Sequence, residues 1–363
     1  MRYSTNRVTR YGRAVVAVLA IGVGVLVHAA TKGPDAGGYT ATDATVYSFI
    51  DLSGESGGAS LMGSTDDGLA ALTLPFAFKF YGQSYTTVCV STNGALYFVS
   101  AAGACANVID FANTDLTSTA TPNDWPAVLP FWSDLTFDQP GAGAVFYQTL
   151  GAPGARKFVV QWQNAFPQGS QNPVTFQVVL TEDANTVLVQ YKTVDLGPGN
   201  PATKGARATI GIRNAGAPAS NRQLQWSFDV PVVSDATALL FKIQSEKVPP
   251  SVTVAVTPSE LWPPSGRRVQ VTVSGSMTDA GSGVDPSTAQ FAVTDEYGTV
   301  QPTGSITVRP DGRFTLIVSL VASRIDSDKD GRTYTVVVTG RDFAGNAGSA
   351  RAIVTVPHDQ RKR

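Results

Sequence analysis

The residues whose spacing points most directly to chemistry are Asp326, Asp328 and Asp330, followed by Gly331, in the run DSDKDG. Carboxylates at alternate positions, then a glycine that permits a sharp turn, form the front half of an oxygen-rich calcium loop. The back half departs from that pattern. Val337 stands where an EF-hand needs a bidentate Glu, and a strand-like run follows instead of a helix. The run therefore suits either calcium or a solvated hairpin turn whose charge is offset by Arg324, Lys329 and Arg332. Asp279 and Asp285 in DAGSGVD, with Asp342 ahead of Ala344, Gly345 and Asn346, are candidates for a second site. They suit equally well turns in which Asp accepts backbone hydrogen bonds.

Nucleophilic catalysis has little to work with. His28 and His358 are the two histidines, one in the N-terminal leader and one in the tail, so no Ser-His or Cys-His pair is expected. HExxH and a Gly-rich phosphate loop are missing from the sequence. Carboxylate pairs for glycoside chemistry, Asp134 with Asp138 or Glu182 with Asp183, read better as a strand end and a turn. The expectation is a protein that is not an enzyme. A net charge of −1 leaves no basic footprint for nucleic acid.

The first thirty residues read as a targeting segment. Arg2, Arg7, Arg10 and Arg13 precede an apolar run at 14–27, and Val27-His28-Ala29 followed by Ala30 fits a small-residue cleavage site. This is the pattern of a secretory signal peptide, residues 1–29, and the run is short of the ~20 residues that span a bilayer. An uncleaved anchor is the other reading. No later segment is expected to span, so the chain is expected to be secreted or held at the cell surface. In an oxidising compartment Cys89 and Cys105 are expected to form a disulfide. A metal site is the alternative, but neither cysteine has a ligand at suitable spacing.

The elements that would position these residues are strands. Charged residues are only 15 %, Gly and Pro are abundant (35 and 22), and no stretch carries a helical period. Leu74, Phe76, Phe78 and Phe80 alternate with smaller or polar residues, the signature of a strand with one buried face. Val88 and Val90 form a second alternation, and Asn93-Gly94 predicts a tight type I′ hairpin that returns Leu96 and Phe98 opposite them. Residues 46–51 are expected as an opening strand, 30–38 as an unstructured spacer, and 100–124 as a covering or functional loop. Strand patterns continue to residue 243. A Pro-containing linker at 244–251 leads to a further set of about seven alternating runs, as in an immunoglobulin-like sandwich. Tyr147, Trp162, Tyr191 and Trp226 suit a sugar-stacking face but sit in alternating patterns that favour burial; Trp262 is expected in core or inter-sheet packing.

The segments FAFKFYGQSY, VSTNGALYF, PNDWPAVLPFWSDL, AVFYQT, KFVVQWQNA, TFQVVL and ATIGIRN resemble the nidogen-like β-sandwich module of extracellular proteins, which also has bacterial relatives. The resemblance covers residues 39–243 and brings no catalytic residues. LWPPSGRRVQVTV, SDKDGRTYTV and GRDFAGNAGSA resemble a bacterial immunoglobulin-like domain, here residues 252–357, with a basic tail at 358–363. The expected protein is all-β, two tandem sandwiches behind a signal peptide. Its expected role is a non-catalytic extracellular interaction, adhesion or structural module with an unidentified protein or glycan partner. A carbohydrate-binding protein auxiliary to a secreted hydrolase is the alternative.

Overall fold

A computed structural model describes residues 30–54, 57–107, 111–118 and 125–358. The expected signal peptide, parts of the 100–124 loop and the end of the tail lie outside the described residues. The fold is all-β.

The first unit runs from β1 (Thr31–Lys32), β2 (Tyr39–Thr42) and β3 (Ala59–Gly63) to β4 (Leu69–Phe80), β5 (Gln83–Ser91) and β6 (Ala95–Val99). It continues with β7 (Ala127–Trp132), β8 (Leu135–Thr136), β9 (Ala144–Leu150), β10 (Lys157–Pro167) and β11 (Val174–Thr181). Then come β12 (Val187–Thr193), β13 (Thr209–Arg213), β14 (Gln223–Phe228) and β15 (Thr237–Ile243). One sheet has the order β1-β2-β15-β12-β11-β10-β9-β3, with β8 also on β10; the facing sheet is β14-β13-β7-β6-β5-β4. Their inner faces bury Phe78, Phe80, Phe98 and Phe131 against Trp162, Phe176, Val178 and Tyr191. Such rings each remove a large apolar area from water, so this layer carries most of the stabilisation of the unit.

The expected register holds: Val88 faces Phe98 and Val90 faces Leu96. The turn between them differs from expectation. Ser91 pairs with Ala95, leaving a three-residue loop in which only Gly94 has positive φ (72°). A Cβ at Gly94 would lie 2.1 Å from the Phe131 carbonyl oxygen, so the loop is pressed onto β7. Asn93 is buried instead of turning: its Oδ1 accepts from Leu135 N at 2.8 Å and its Nδ2 donates to Asp67 Oδ1 at 2.9 Å.

Two further expectations give way to tertiary contacts. Residues 46–51 form no strand; they lie as an extended strap across the outer face of the larger sheet. Gln161, Gln177 and Gln190 stand side by side there on β10, β11 and β12. Gln161 Oε1 accepts from Leu52 N at 2.8 Å, and the Gln190 amide holds both main-chain groups of Ser48. Side-chain amides thus replace the neighbouring strand that the strap lacks. The expected spacer at 30–38 is also built: β1 pairs with β2, and the buried Asp35 carboxylate accepts from Gly37 N and Tyr39 N at 2.9 and 3.0 Å. A Pro-Asp-x-Gly-Gly run that looks like punctuation is an Asx-capped turn.

The second unit comprises β16 (Ser251–Thr257), β17 (Arg268–Thr278), β18 (Val284–Asp295), β19 (Thr303–Ser305), β20 (Arg313–Val321), β21 (Arg332–Asp342) and β22 (Ala347–Val356). These form a three-stranded sheet, β16-β17-β20, and a four-stranded sheet, β19-β18-β21-β22. Val271, Val273, Phe314, Leu320, Tyr334, Val336 and Val354 fill the space between them. Trp262 does not join this core; it is 41 % exposed, because its flanking loop leaves Leu261 to fill the interior position instead.

Candidate functional site

The disulfide forms between Cys89 on β5 and Cys105 on a six-residue 3-10 segment, Ala102–Asn107, with Cα atoms 5.5 Å apart. It staples the 102–107 segment over the outer face of the six-stranded sheet, above Tyr97, Leu129 and Trp132, while Leu116 closes the same layer. Cys105 and Leu116 therefore bring described parts of the long loop into a second core layer. Trp162, Tyr191 and Trp226 are buried, and their rings are not available to a sugar; Tyr147 is half-buried. Trp162 Nε1 donates to Ser91 O and Tyr191 Oη to Pro130 O, so both polar tips are spent inside.

The DSDKDG run forms a turn before β21. Asp326 is fully exposed and 3.5 Å from Arg324 Nη1, while Asp328 accepts from the Tyr297 hydroxyl and from Gly331 N. Asp330 projects from the exposed tip beside it. Among the described residues, two other acidic groups gather, each with ligand atoms within 4.8 Å of one another: Asp66, Asp67 and Asp134, and Glu246, Asp279 and Asp342. The first lies beneath the Asn93 loop. Burial pushes the Asp66 and Asp134 carboxyls up, and the neighbouring carboxylates push them further.

The second group sits at the joint of the two units. Asp279 accepts from Gly281 N and Gly283 N, and Asp342 accepts from Asn346 N, so the turn role expected for these residues is real. The Asn346 amide also bridges Asp342 Oδ2 and Glu246 Oε1 at 2.8 and 2.9 Å, which ties the linker to β21. Asp285, the remaining candidate, turns away to Ser287 and to Lys79 of the first unit, 3.4 Å distant. Hard oxygen donors in this arrangement suit a cation as ligands, and the neutral Asn346 amide already donates hydrogen bonds to two of them.

Around this joint the units fit closely. A Cβ on Gly38 would lie 1.7 Å from the Ser282 carbonyl oxygen, so only glycine permits this approach. Arg222 of the first unit lies over the Phe343 ring of the second, 5.6 Å from its centroid. Asp35 faces a cleft of about 690 Å³ lined also by Arg222, Ser220, Asp279, Arg309 and Asp311. Burial pushes the Asp35 carboxyl up to about 6, against the lowering effect of the Tyr81 hydroxyl (2.5 Å), two backbone N–H groups and Arg222. Composition and periodicity did not single out Asp35, Asp66, Asp67 or Glu246; only the Asx-turn spacing around Asp35 could have hinted at one of them.

A family model described as NIDO related matches residues 38–249. A search of curated proteins returns no match. Among solved structures, a Bifidobacterium dentium beta-glucuronidase complexed with coumarin-3-O-glucuronide is 11 % identical at a TM-score of 0.22, with 80 % of this chain covered. The chain spans 47 % of that enzyme's length. A Ca2+-stabilized adhesin of an Antarctic bacterium is 15 % identical at a TM-score of 0.20, covering 88 % of this chain and 69 % of the adhesin. The N-terminal domain of a Streptococcus gordonii adhesin is 9 % identical at a TM-score of 0.16, covering 83 % of this chain and 94 % of that domain. Similarities this low carry no argument about this protein. The match to the first sandwich does: it spans more than half of the sequence, and the chain belongs to the NIDO-related family.

Proposed function

We propose that this protein is exported and acts outside the cytoplasm as a non-catalytic interaction or structural module, its second sandwich being immunoglobulin-like. The observation that carries the reading is the Cys89–Cys105 bond, which staples a covering layer onto a NIDO-related sandwich. A bond of this kind persists in oxidising compartments, and the leader pattern at 1–29 supplies the route there. Burial of Trp162, Tyr191 and Trp226 weighs against the carbohydrate-binding alternative, because those rings hold the sandwich together. Calcium at Asp326, Asp328 and Asp330 would need the exposed Asp326 to swing inward; chelation that leaves thermal stability unchanged would remove it.

The direct test fuses residues 1–60 to alkaline phosphatase, an enzyme active only after export. Activity in the fusion, with N-terminal sequencing of the released protein starting at Ala30, is the expected result. An inactive fusion retained in the cytoplasm would sink the proposal. A glycan array probed with the chain from Ala30 onward separates the alternative: selective binding to one sugar class would displace the protein-interaction reading.

A further inference from the structure

Sheet edges expose unpaired main-chain groups, and proteins ordinarily blunt them with short strands, bulges, prolines or covering side chains. Nearly every edge of this molecule is treated so. β1 has two residues and β19 three, and β3 carries a register break between Ser60 and Met62. β4 contains Pro75, breaks register before Phe78, and has its Lys79 N capped by Asn185 Oδ1 at 2.8 Å. On β14, Lys32 Nζ donates to the Gln225 and Trp226 carbonyls. β22 carries Arg351 at mid-strand, and Pro250 O, just ahead of β16, closes on Gly348.

β16 is likewise uncharged and unbroken, but β22 runs beside it; among the described strands, β20 is the long edge left open. It runs nine residues, Arg313–Val321, paired with β17 without a break, and residues 314–322 hold no charge and no proline. Met277 N donates to Gly312 O and Ala322 N to Arg267 O, so the even-numbered residues of this strand bond to β17. By alternation, the N–H and C=O groups of Thr315, Ile317 and Ser319 point to the open side. The two ends of that side are closed locally, Arg313 O by Arg309 N and Val321 O by the Tyr334 hydroxyl, both at 2.9 Å. The side chains of Thr315, Ile317 and Ser319 are exposed, Ile317 by 62 %.

We propose that β20 pairs antiparallel with β20 of a second copy of this chain, about a two-fold axis at Ile317, joining the two three-stranded sheets into one. The strand is self-complementary in that register. Ile317 meets Ile317 and Thr315 meets Ser319, so the outward donors and acceptors of these three residues face one another, while Arg313 and Val321, whose carbonyls are bonded locally, flank the pairing and set no like charges opposite. A slip by one residue would set free groups against ones already bonded to β17. The chain from Ala30 onward, without the four leader arginines, carries a net charge of −5, none of it on residues 314–322. The contact is short, and a dimer in the micromolar range is expected. This inference does not depend on the export reading.

Sedimentation of the chain from Ala30 onward, which holds every described strand, tests it. A reversible monomer–dimer equilibrium is expected. Ile317→Lys sets two cations on the axis, and Ile317→Pro deletes an outward N–H without touching the β17 ladder. Each should weaken the dimer at least tenfold while circular dichroism and the thermal midpoint in dilute solution hold; if the proline variant misfolds, the lysine variant decides. Ile317→Cys should form an intermolecular disulfide on oxidation, since the native cysteines are already paired. A monomer at every soluble concentration would overturn the proposal and leave the edge to a strand of another protein. A dimer indifferent to both substitutions at 317 would overturn it too.

Discussion

The two sandwiches solve the same architectural problem with different materials. The first buries stacked aromatic rings, Trp162 on Phe176 and Phe176 on Phe131, and covers both sheets from outside, one with a disulfide-stapled layer and one with a glutamine-held strap. The second has a valine-rich core and no cysteine. At one end of that core it buries an ion pair: Arg332 donates to both Asp295 oxygens at 2.9 and 2.6 Å and lies between the Tyr297 and Tyr334 rings. Stability in the first unit rests on area and cross-linking; in the second a single buried charge pair must stay matched. That difference is open to direct attack.

The largest effects should come from the centres of the two cores. Trp162→Ala removes a buried ring and its bond to Ser91 O and should cost about 3–5 kcal/mol. Asp295→Ala strands the Arg332 guanidinium and should cost about 3–5 kcal/mol. Urea unfolding separates them: of the five Trp, Trp262 alone belongs to the second unit, so tryptophan fluorescence follows the first and far-ultraviolet dichroism both. If Trp162→Ala shifted only the transition that fluorescence does not see, the division into two cores would fail.

Next comes reduction of the disulfide, or Cys89→Ser with Cys105→Ser, which reopens a loop of 16 residues. A loss of about 3 kcal/mol is expected in the first unit, with the second unaffected. Equal destabilisation of both would mean the units unfold together.

Acid should push the two units in opposite directions. The Asp35 carboxyl, raised from 3.8 to about 6, binds its proton more tightly in the folded chain. Its contribution to stability therefore grows as pH falls from 7 towards 4, by up to about 3 kcal/mol. Burial also pushes the Asp295 carboxyl up, but Arg332 and three backbone N–H groups outweigh it and hold it well below the usual range. Its contribution is present above pH 3.8 and is lost as pH drops below that value. The test is Asp35→Asn measured beside the parent from pH 7 to 4: the gap between them should change with pH, and a constant gap would refute the assignment. Smallest of all should be Lys79→Met. It removes a half-exposed ion pair with Asp285 across the joint and should cost under about 1 kcal/mol.

Strand patterns were readable because the pleat imposes a period of two on the residues themselves. Leu74 to Phe80 and the pairing of Val88 with Phe98 follow from alternation and a short loop, and both are local. The Asn93-Gly94 turn was read with the wrong geometry, since its shape answers to Phe131 and Asp67, far away in the chain. The 46–51 strap was misplaced for a related reason. Its apolar alternation is strand-like, but its hydrogen-bond partners are side chains more than a hundred residues on.

By itself, then, the sequence determined the all-β class, the faces of the strands and the paired cysteines, because each follows from composition or from near neighbours. Tertiary structure alone decided which carboxylates gather, why Asp35 is buried at the joint, and that β20 is left with an open edge. Those properties depend on what approaches from a distant part of the chain, and residue spacing carries no record of that approach.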